Sequence, residues 1–214
     1  QYNLGYALQL LNKFNEAIVF YEKVLTIQPD FTDALNNLGI SFKELSQPNK
    51  AIKFYEKALV LKPDYAEAHI NIGNALMDLG KVDLAIEYYQ NALKIDQEYA
   101  EAHNNLGISL LGLGRVNEAL KSYEKAIIFK PEYASAHFNL SVLKKYSKND
   151  AQITQMQSIL SSSSTSPSNK AFLCFALAKA YEDLGNQNGL FKFLNEGNRL
   201  RKEELNFSFD EPEN

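Results

Sequence analysis

Residues 100–133 read AEAHNNLGISLLGLGRVNEALKSYEKAIIFKPEY, and this stretch decides the fold. Leu106 and Leu110 have the spacing of one helix face, and a second apolar series of the same kind runs along residues 119–127. Gly114 separates the two series, and glycine commonly ends a helix. The stretch therefore predicts two helices joined by a short turn.

The same features return every 34 residues along the chain. A glycine, an alanine, a tyrosine and a proline each keep this interval, and Gln97 is the one substitution among the sixteen positions. The four sets are Gly5, Gly39, Gly73, Gly107; Ala17, Ala51, Ala85, Ala119; Tyr21, Tyr55, Tyr89, Tyr123; and Pro29, Pro63, Gln97, Pro131. Such a period indicates helix pairs that bury one continuous apolar core by stacking, so we predict an all-α, right-handed superhelical α-solenoid.

This order of Leu-Gly, Ala, aromatic residue and Pro at a 34-residue period resembles the tetratricopeptide repeat (TPR). We assign residues 1–146 to a regular array of four full-pattern units, the first of them clipped, plus the first helix of a fifth. Residues 147–169 are predicted to form a short helix, capped by Asp150, and a Ser-rich loop. Residues 170–205 form a degenerate TPR-like helix pair, and residues 206–214 an acidic tail or linker. Because the chain starts inside a unit, we expect a piece of a larger protein.

Composition argues against several classes of partner. The net charge is -4 and Lys and Arg are not clustered, so nucleic acid is not an expected ligand. The apolar run at residues 171–178 is far shorter than the ~20 residues that a bilayer crossing needs. Cys174, the only cysteine, lies in this run, so there is no disulfide framework. We expect a soluble, cytoplasmic protein without a membrane partner.

Three histidines, His69, His103 and His137, also keep the 34-residue interval. Equivalent residues of stacked units lie roughly 8–10 Å apart, whereas zinc ligands lie only about 2 Å from their ion. We therefore interpret the histidines as partly buried packing residues and predict no metal site. No paired carboxylates, nucleophile and base, or phosphate-binding loop stands out, because the recurring polar residues follow the repeat. We predict neither a catalytic residue nor a cofactor in this chain.

Five asparagines recur at the same interval: Asn3, Asn37, Asn71, Asn105 and Asn139. Residues on the same helix faces include Asp33, Glu67, Asn74, Asp78 and Glu101. A line of amides is hard to explain by packing alone, because each amide brings donors and an acceptor that need partners. We expect this face to line the concave surface and to hold an extended peptide by its backbone, and the acidic neighbours favour a neutral or basic ligand. Alternatively, the amides bridge neighbouring helices as a solvated spine.

The asparagine series is similar to the one that lines the TPR superhelix of O-linked N-acetylglucosamine (O-GlcNAc) transferases, where it holds substrate peptides by their backbone. Residues 137–141 (HFNLS), 175–185 (FALAKAYEDLG) and 195–201 (NEGNRLR) resemble the junction in TPR-containing bacterial sulfotransferases, where the array leads into a catalytic domain. This resemblance implies a non-catalytic recruiting arm of a larger sulfotransferase. Two alternatives stay open: a free-standing scaffold that self-associates through solenoid ends, and the arm of an O-GlcNAc-type glycosyltransferase.

Overall fold

The computed structural model describes residues 1–209, which form twelve helices and no strand. The chain divides into two compact units, Gln1–Arg115 and Val116–Asn214. The helices of the first unit are α1 (Tyr2–Leu10), α2 (Phe14–Ile27), α3 (Thr32–Glu44), α4 (Pro48–Leu61), α5 (Ala66–Asp78), α6 (Val82–Ile95) and α7 (Ala100–Gly112). Those of the second are α8 (Val116–Phe129), α9 (Ala134–Leu143), α10 (Ala151–Ser161), α11 (Pro167–Asp183) and α12 (Gln187–Phe209).

In the first unit the helices pair in sequence, α1 with α2, α3 with α4 and α5 with α6. Each second helix also packs against the first helix of the following pair. The recurring alanines and tyrosines of the second helices are all buried: Ala17, Ala51, Ala85, Tyr21, Tyr55 and Tyr89. Small and large side chains thus alternate in the core, as close packing requires. The predicted all-α architecture of stacked helix pairs is confirmed.

In the first unit, the recurring glycines Gly5, Gly39 and Gly73 lie against tyrosine rings. A Cβ atom added at Gly39 would come within 2.5 Å of Cε1 of Tyr55, and one at Gly73 would come equally close to Cε1 of Tyr89. Such distances are well inside van der Waals contact. Only glycine therefore lets the two helices of a pair approach this closely around the tyrosine.

A residue with left-handed backbone conformation joins the helices of each pair. Asn12, Ser46, Gly80 and Gly114 have φ angles of 58°, 57°, 70° and 73°. Glycine adopts this conformation at no steric cost, whereas most other residues do so rarely. The four positions are 34 residues apart, so the turn between the helices recurs with the repeat even where its residue type changes.

The second helices of the repeats end at equivalent residues whether or not a proline follows. The helices α2, α4 and α8 stop two residues before Pro29, Pro63 and Pro131. Gln97 replaces the proline after α6, yet α6 also stops two residues earlier, at Ile95. Proline is therefore compatible with this helix end but is not required to produce it.

In the second unit, α11 is the central helix and packs against α9, α10 and α12. The core around it includes Met156, Leu173, Cys174 and Leu177. Burial raises the pKa of the Cys174 thiol to about 11, so this cysteine is a protonated packing residue at neutral pH. The helix expected after Asp150 is α10, and the Asp150 side chain accepts a hydrogen bond from the backbone N–H of Gln152 at its first turn.

The last helix pair differs from the regular repeats in the placement of glycine and aromatic residues. Gly189 and Gly197 lie on the second helix, α12, and a Cβ atom there would come within 2.5 Å of Tyr181 and 2.9 Å of Phe175 on α11. The aromatic residue and the glycine have thus exchanged helices. The helices α11 and α12 therefore also approach closely, with the aromatic residues on α11 and the glycines on α12.

The Ser-rich segment between α10 and α11 is short, because Ser166 already caps α11 and Pro167 is its first residue. The last helix, α12, continues to Phe209, past the expected boundary at residue 205. The remainder of the predicted acidic tail, residues 210–214, lies outside the described residues. Among the helices described for residues 1–209, none has both the length and the apolar character that a membrane crossing requires.

Candidate functional site

The first helices of successive repeats carry the recurring asparagines. In the first unit these helices are α1, α3, α5 and α7, and each contacts the next. We call Asn3, Asn37, Asn71 and Asn105 the asparagine ladder. Asn3 is exposed, Asn37 is buried, and Asn71 and Asn105 are half-buried. Asn139, on α9 of the second unit, is also half-buried.

The ladder amides connect neighbouring helices by hydrogen bonds. The Asn71 Nδ2 group donates to Oδ1 of Asn36 at 3.0 Å, which joins α5 to α3. The Asn37 Nδ2 group donates to the Tyr2 hydroxyl at 2.9 Å, which joins α3 to α1. The bridging of neighbouring helices that the sequence left open is therefore present in this unit.

Which acceptor a ladder amide finds depends on the preceding repeat. The deciding position is the one just before that repeat's own ladder asparagine. This position holds Tyr2 and Asn36, which accept from the following asparagine, but it holds Ile70 in the third repeat. Because isoleucine cannot accept a hydrogen bond, the Asn105 Nδ2 group donates instead to Oδ1 of Asn74 at 2.9 Å. Asn74, which the sequence placed on the ladder face, thus substitutes for the missing partner.

Asn36 and Tyr89 also belong to this network, although the repeat pattern in the sequence does not identify them as site residues. Asn36 is 1% exposed and donates from Nδ2 to Oε1 of Glu67 at 3.2 Å. The Tyr89 hydroxyl donates to Oδ1 of Asn74 at 2.8 Å. Asn36 was missed because its type is not repeated at 34 residues, and Tyr89 because it repeats as a core residue.

Some hydrogen-bonding groups of the ladder remain available. Asn71 and Asn105 each use one amide hydrogen in the bonds described above, and each amide has two. Within residues 1–209, Oδ1 of Asn71 accepts no hydrogen bond, whereas Oδ1 of Asn105 accepts one from Asn104 Nδ2 at 3.3 Å. The ladder therefore combines amides held in place by neighbouring helices with groups that can bind a ligand.

The predicted acidic residues take different positions around the ladder. Asp33 accepts a hydrogen bond from the Tyr65 hydroxyl at 3.1 Å. Burial raises the pKa of Tyr65, with smaller effects of the same sign from Glu67 and Asp33, so this hydroxyl remains a donor. Glu67 accepts from Asn36, and Glu101 is exposed on α7. Carboxylates thus line the same helices as the ladder.

Asn74 and Asn105 also line an open recess between α3, α5, α6 and α7. Its volume is ≈ 330 Å³. The remaining lining residues are Lys43, Met77, Asp78, Tyr89 and Ile108. Lys43 was missed from sequence because its equivalents in the other repeats of the first unit, Gln9, Met77 and Leu111, are uncharged. The ladder face is consequently acidic but includes one lysine.

The histidines connect the first helix of a repeat to the end of the preceding helix. In each case Nε2 lies within hydrogen-bonding distance of the backbone oxygen six residues earlier: His69 with Pro63 at 3.1 Å, His103 with Gln97 at 2.9 Å, and His137 with Pro131 at 2.8 Å. His137 is fully buried, and its burial lowers the pKa of the imidazole. The histidines therefore have packing and helix-end roles. Across residues 1–209, no three His, Cys, Asp or Glu side chains form a group that could hold a metal ion.

Comparisons with known proteins agree with this architecture. The family model described as Tetratricopeptide repeat matches residues 1–31, 32–65 and 100–133, and the model described as TPR repeat matches residues 73–114. Together they cover more than half of the chain. No curated protein sequence matches it.

Several solved structures share the fold. A crystal structure of MamA is 23% identical, covers 94% of this chain and 96% of its own, and has a TM-score of 0.58. YrrB, a TPR protein with an unusual peptide-binding site, is 21% identical, covers 89% and 88%, and has a TM-score of 0.56. PilF of Pseudomonas aeruginosa is 18% identical, covers 98% and 96%, and has a TM-score of 0.72. With the helix pairs, the buried glycine–tyrosine contacts and the family models in agreement, the chain belongs to the tetratricopeptide repeat family.

Proposed function

We propose that this chain is a non-catalytic module that holds an extended protein segment along the asparagine ladder. The observation that carries the proposal is that Asn71 and Asn105 are fixed by hydrogen bonds to neighbouring helices while each keeps an unused amide hydrogen. A side chain that is already ordered loses little conformational entropy on binding. An extended peptide advances ~3.3 Å per residue, so one repeat corresponds to about three ligand residues. Asn139 extends the proposed set by its repeat position.

The ligand is proposed to be neutral or basic, because Asp33, Glu67, Asp78 and Glu101 lie on the ladder helices. Each backbone hydrogen bond contributes a net ~0.5–1.5 kcal/mol, and ordering of the peptide offsets part of that gain. We therefore expect modest affinity and low sequence selectivity from the amides alone. YrrB, a structural neighbour with a peptide-binding site, is a precedent for peptide binding by a protein of this fold.

The test compares two triple variants. Asn3→Ala, Asn71→Ala and Asn105→Ala together remove three ladder amides, whereas Asn15→Ala, Asn49→Ala and Asn117→Ala remove exposed amides at a different recurring position. Binding is measured by fluorescence anisotropy with a panel of unstructured peptides of about a dozen residues. The ladder variant is expected to raise Kd about tenfold or more, since two to three hydrogen bonds are lost. Equal Kd values for the ladder variant and the parent protein would contradict the proposal.

Folding has to be monitored in parallel, because the Asn71→Ala change leaves Oδ1 of the buried Asn36 without its donor. An unpaired buried polar group costs about 1–3 kcal/mol. Binding is therefore measured well below the unfolding transition of each variant, after circular dichroism has shown unchanged helix content.

In a wider context, we propose that the module is the recruiting arm of a larger, cytoplasmic sulfotransferase. The resemblance of residues 137–141, 175–185 and 195–201 to the junction in such enzymes supports this assignment over the O-GlcNAc-type alternative. The native reading frame tests it. A downstream domain with a phosphosulfate-binding loop is expected, and a glycosyltransferase domain in its place would favour the alternative.

Self-association through solenoid ends is the second candidate function. Leu4 on α1 is 49% exposed, whereas its repeat equivalents Leu38 and Ile72 are each 1% exposed, and Leu11 is 68% exposed. This apolar surface of α1 is one that either a preceding repeat or a second copy would bury. Light scattering of the full native protein distinguishes the two, because a monomer at high protein concentration would exclude self-association.

A further inference from the structure

The recess beside the ladder has the chemistry of a side-chain subsite, which would add selectivity to backbone binding. We propose that it receives a basic side chain, lysine or arginine, of the bound peptide, whose ammonium or guanidinium group pairs with Asp78. This inference rests on the proposed function, because the peptide backbone has to lie along the ladder for a side chain to enter.

Two walls of the recess are apolar and partly open to solvent. Met77 is half-buried on α5, and Ile108 is 42% exposed on α7. The methylene stem of lysine or arginine covers apolar surface of this kind while its charged end stays at a polar rim. The unbranched, polarizable methionine side chain adapts to such a stem.

Asp78 is the carboxylate at the rim. Half of its side chain is exposed, and its one ion-pair partner in the described part of the chain is Lys43, whose Nζ lies 3.8 Å from Oδ2. This separation exceeds the normal range of an N–H···O hydrogen bond. Asp78 therefore keeps acceptor sites that a ligand cation can occupy.

The Asn74 side chain does not offer the ligand cation an alternative acceptor. Oδ1 of Asn74 already accepts two hydrogen bonds, from the Tyr89 hydroxyl and from Asn105 Nδ2. A carbonyl oxygen has two lone pairs, so this acceptor is saturated. Amide N–H groups remain for peptide carbonyls, and the carboxylate remains for a cation.

Lys43 has a second anionic partner when a ligand cation takes Asp78. Its Nζ lies 3.4 Å from Oε1 of Glu44, the next residue on α3. Asp78, Lys43 and the neighbouring Glu44 together leave a net negative charge, which a ligand cation balances and an acidic side chain worsens. The arrangement therefore selects for lysine or arginine.

The experiment uses the whole chain and two probe peptides. Both are Gly-Ser peptides of about a dozen residues; one has lysine at every third position, and the other has norleucine there. The parent protein is expected to bind the lysine peptide about fivefold more tightly, as suits a partly exposed ion pair. Asp78→Asn is expected to reduce that preference, whereas Asp33, Glu67 and Glu101 keep their general attraction for the lysines. Asp83→Asn, an exposed carboxylate on α6 outside the recess, is the control and should retain it.

Lys43→Met supplies a second readout, because it removes the competing cation. It should increase the preference for the lysine peptide, which a purely structural role of the Lys43–Asp78 pair does not predict. Equal binding of both peptides by the parent protein, or an unchanged preference in Asp78→Asn, would overturn the subsite and leave backbone binding in place. Failure of both peptides to bind the parent protein would overturn the subsite and the proposed function together.

Discussion

At the scale of single residues, sequence differences between repeats determine which of the buried tyrosine hydroxyls form a hydrogen bond. The Tyr21 hydroxyl donates to Oε1 of Gln9, and the Tyr89 hydroxyl donates to Oδ1 of Asn74. Tyr55 is equally buried, but within residues 1–209 its hydroxyl has no hydrogen-bond partner. The positions equivalent to Asn74 and Gln9 hold Ile40 and Lys43 in its repeat, and neither side chain can accept.

This difference predicts opposite consequences for the same substitution. Tyr89→Phe breaks a hydrogen bond and should lower the free energy of unfolding by ~0.5–1.5 kcal/mol. Tyr55→Phe removes an unpaired buried hydroxyl and should be neutral or slightly stabilising. Urea unfolding of the two variants beside the parent protein measures both effects. Equal losses of stability would show that the Tyr55 hydroxyl has a partner after all.

At the scale of helices, the repeat pattern in the sequence predicts most of what the structure contains. The glycine, alanine and tyrosine spacing predicts the helix pairs and their buried face, because these residues recur for the same packing reason in each pair. The last pair was harder to predict in detail. Its aromatic residues and glycines contact each other in exchanged positions, Tyr181 with Gly189 and Phe175 with Gly197, and a search for one fixed order of residue types does not detect this exchange.

The candidate site was predictable only in outline. The ladder asparagines stand out because their interval is strict, but their partners do not share it. Asn36 and Asn74 are asparagines at positions that hold isoleucine in a neighbouring repeat, at Ile70 and Ile40, and the neighbouring equivalents of Lys43, Gln9 and Met77, are uncharged. Such partners depend on which helices meet in space, which one-dimensional periodicity does not give.

The glycines of helices α5 and α7 provide a matched pair of substitutions. Gly73→Ala places a methyl group 2.5 Å from the Tyr89 ring and should destabilise the protein by ~1–3 kcal/mol. A Cβ atom at Gly112 meets no atom of the described chain within 4 Å. Gly112→Ala should therefore be neutral or stabilise by up to about 1 kcal/mol, because alanine favours the helix. Thermal unfolding followed by circular dichroism checks the pair, and a Gly73→Ala variant as stable as the parent would show that Tyr89 can shift freely.

At the scale of the whole chain, buried apolar clusters are present in both compact units. One cluster of the first unit contains Tyr21 and Leu38, and the core of the second contains Met156 and Leu177. In repeat proteins each helix pair interacts mainly with its neighbours, so stability is approximately a sum of local contributions. A perturbation should then remain near the unit in which it is made.

Combining one substitution from each unit tests this locality. Gly39→Ala forces a methyl group against Tyr55 in the first unit, and Met156→Ala empties a fully buried site in the second. Their separate costs should be ~1–3 and ~2–5 kcal/mol, and the double variant should show their sum within about 0.5 kcal/mol, because the two sites share no partner. Denaturant unfolding gives the energies, and hydrogen exchange should place the extra opening of Gly39→Ala among residues 1–115. Extra opening of Gly39→Ala that extends equally into the second unit would mean that the two units unfold as one cooperative body, in which case the ladder and the core around α11 would respond to the same mutations.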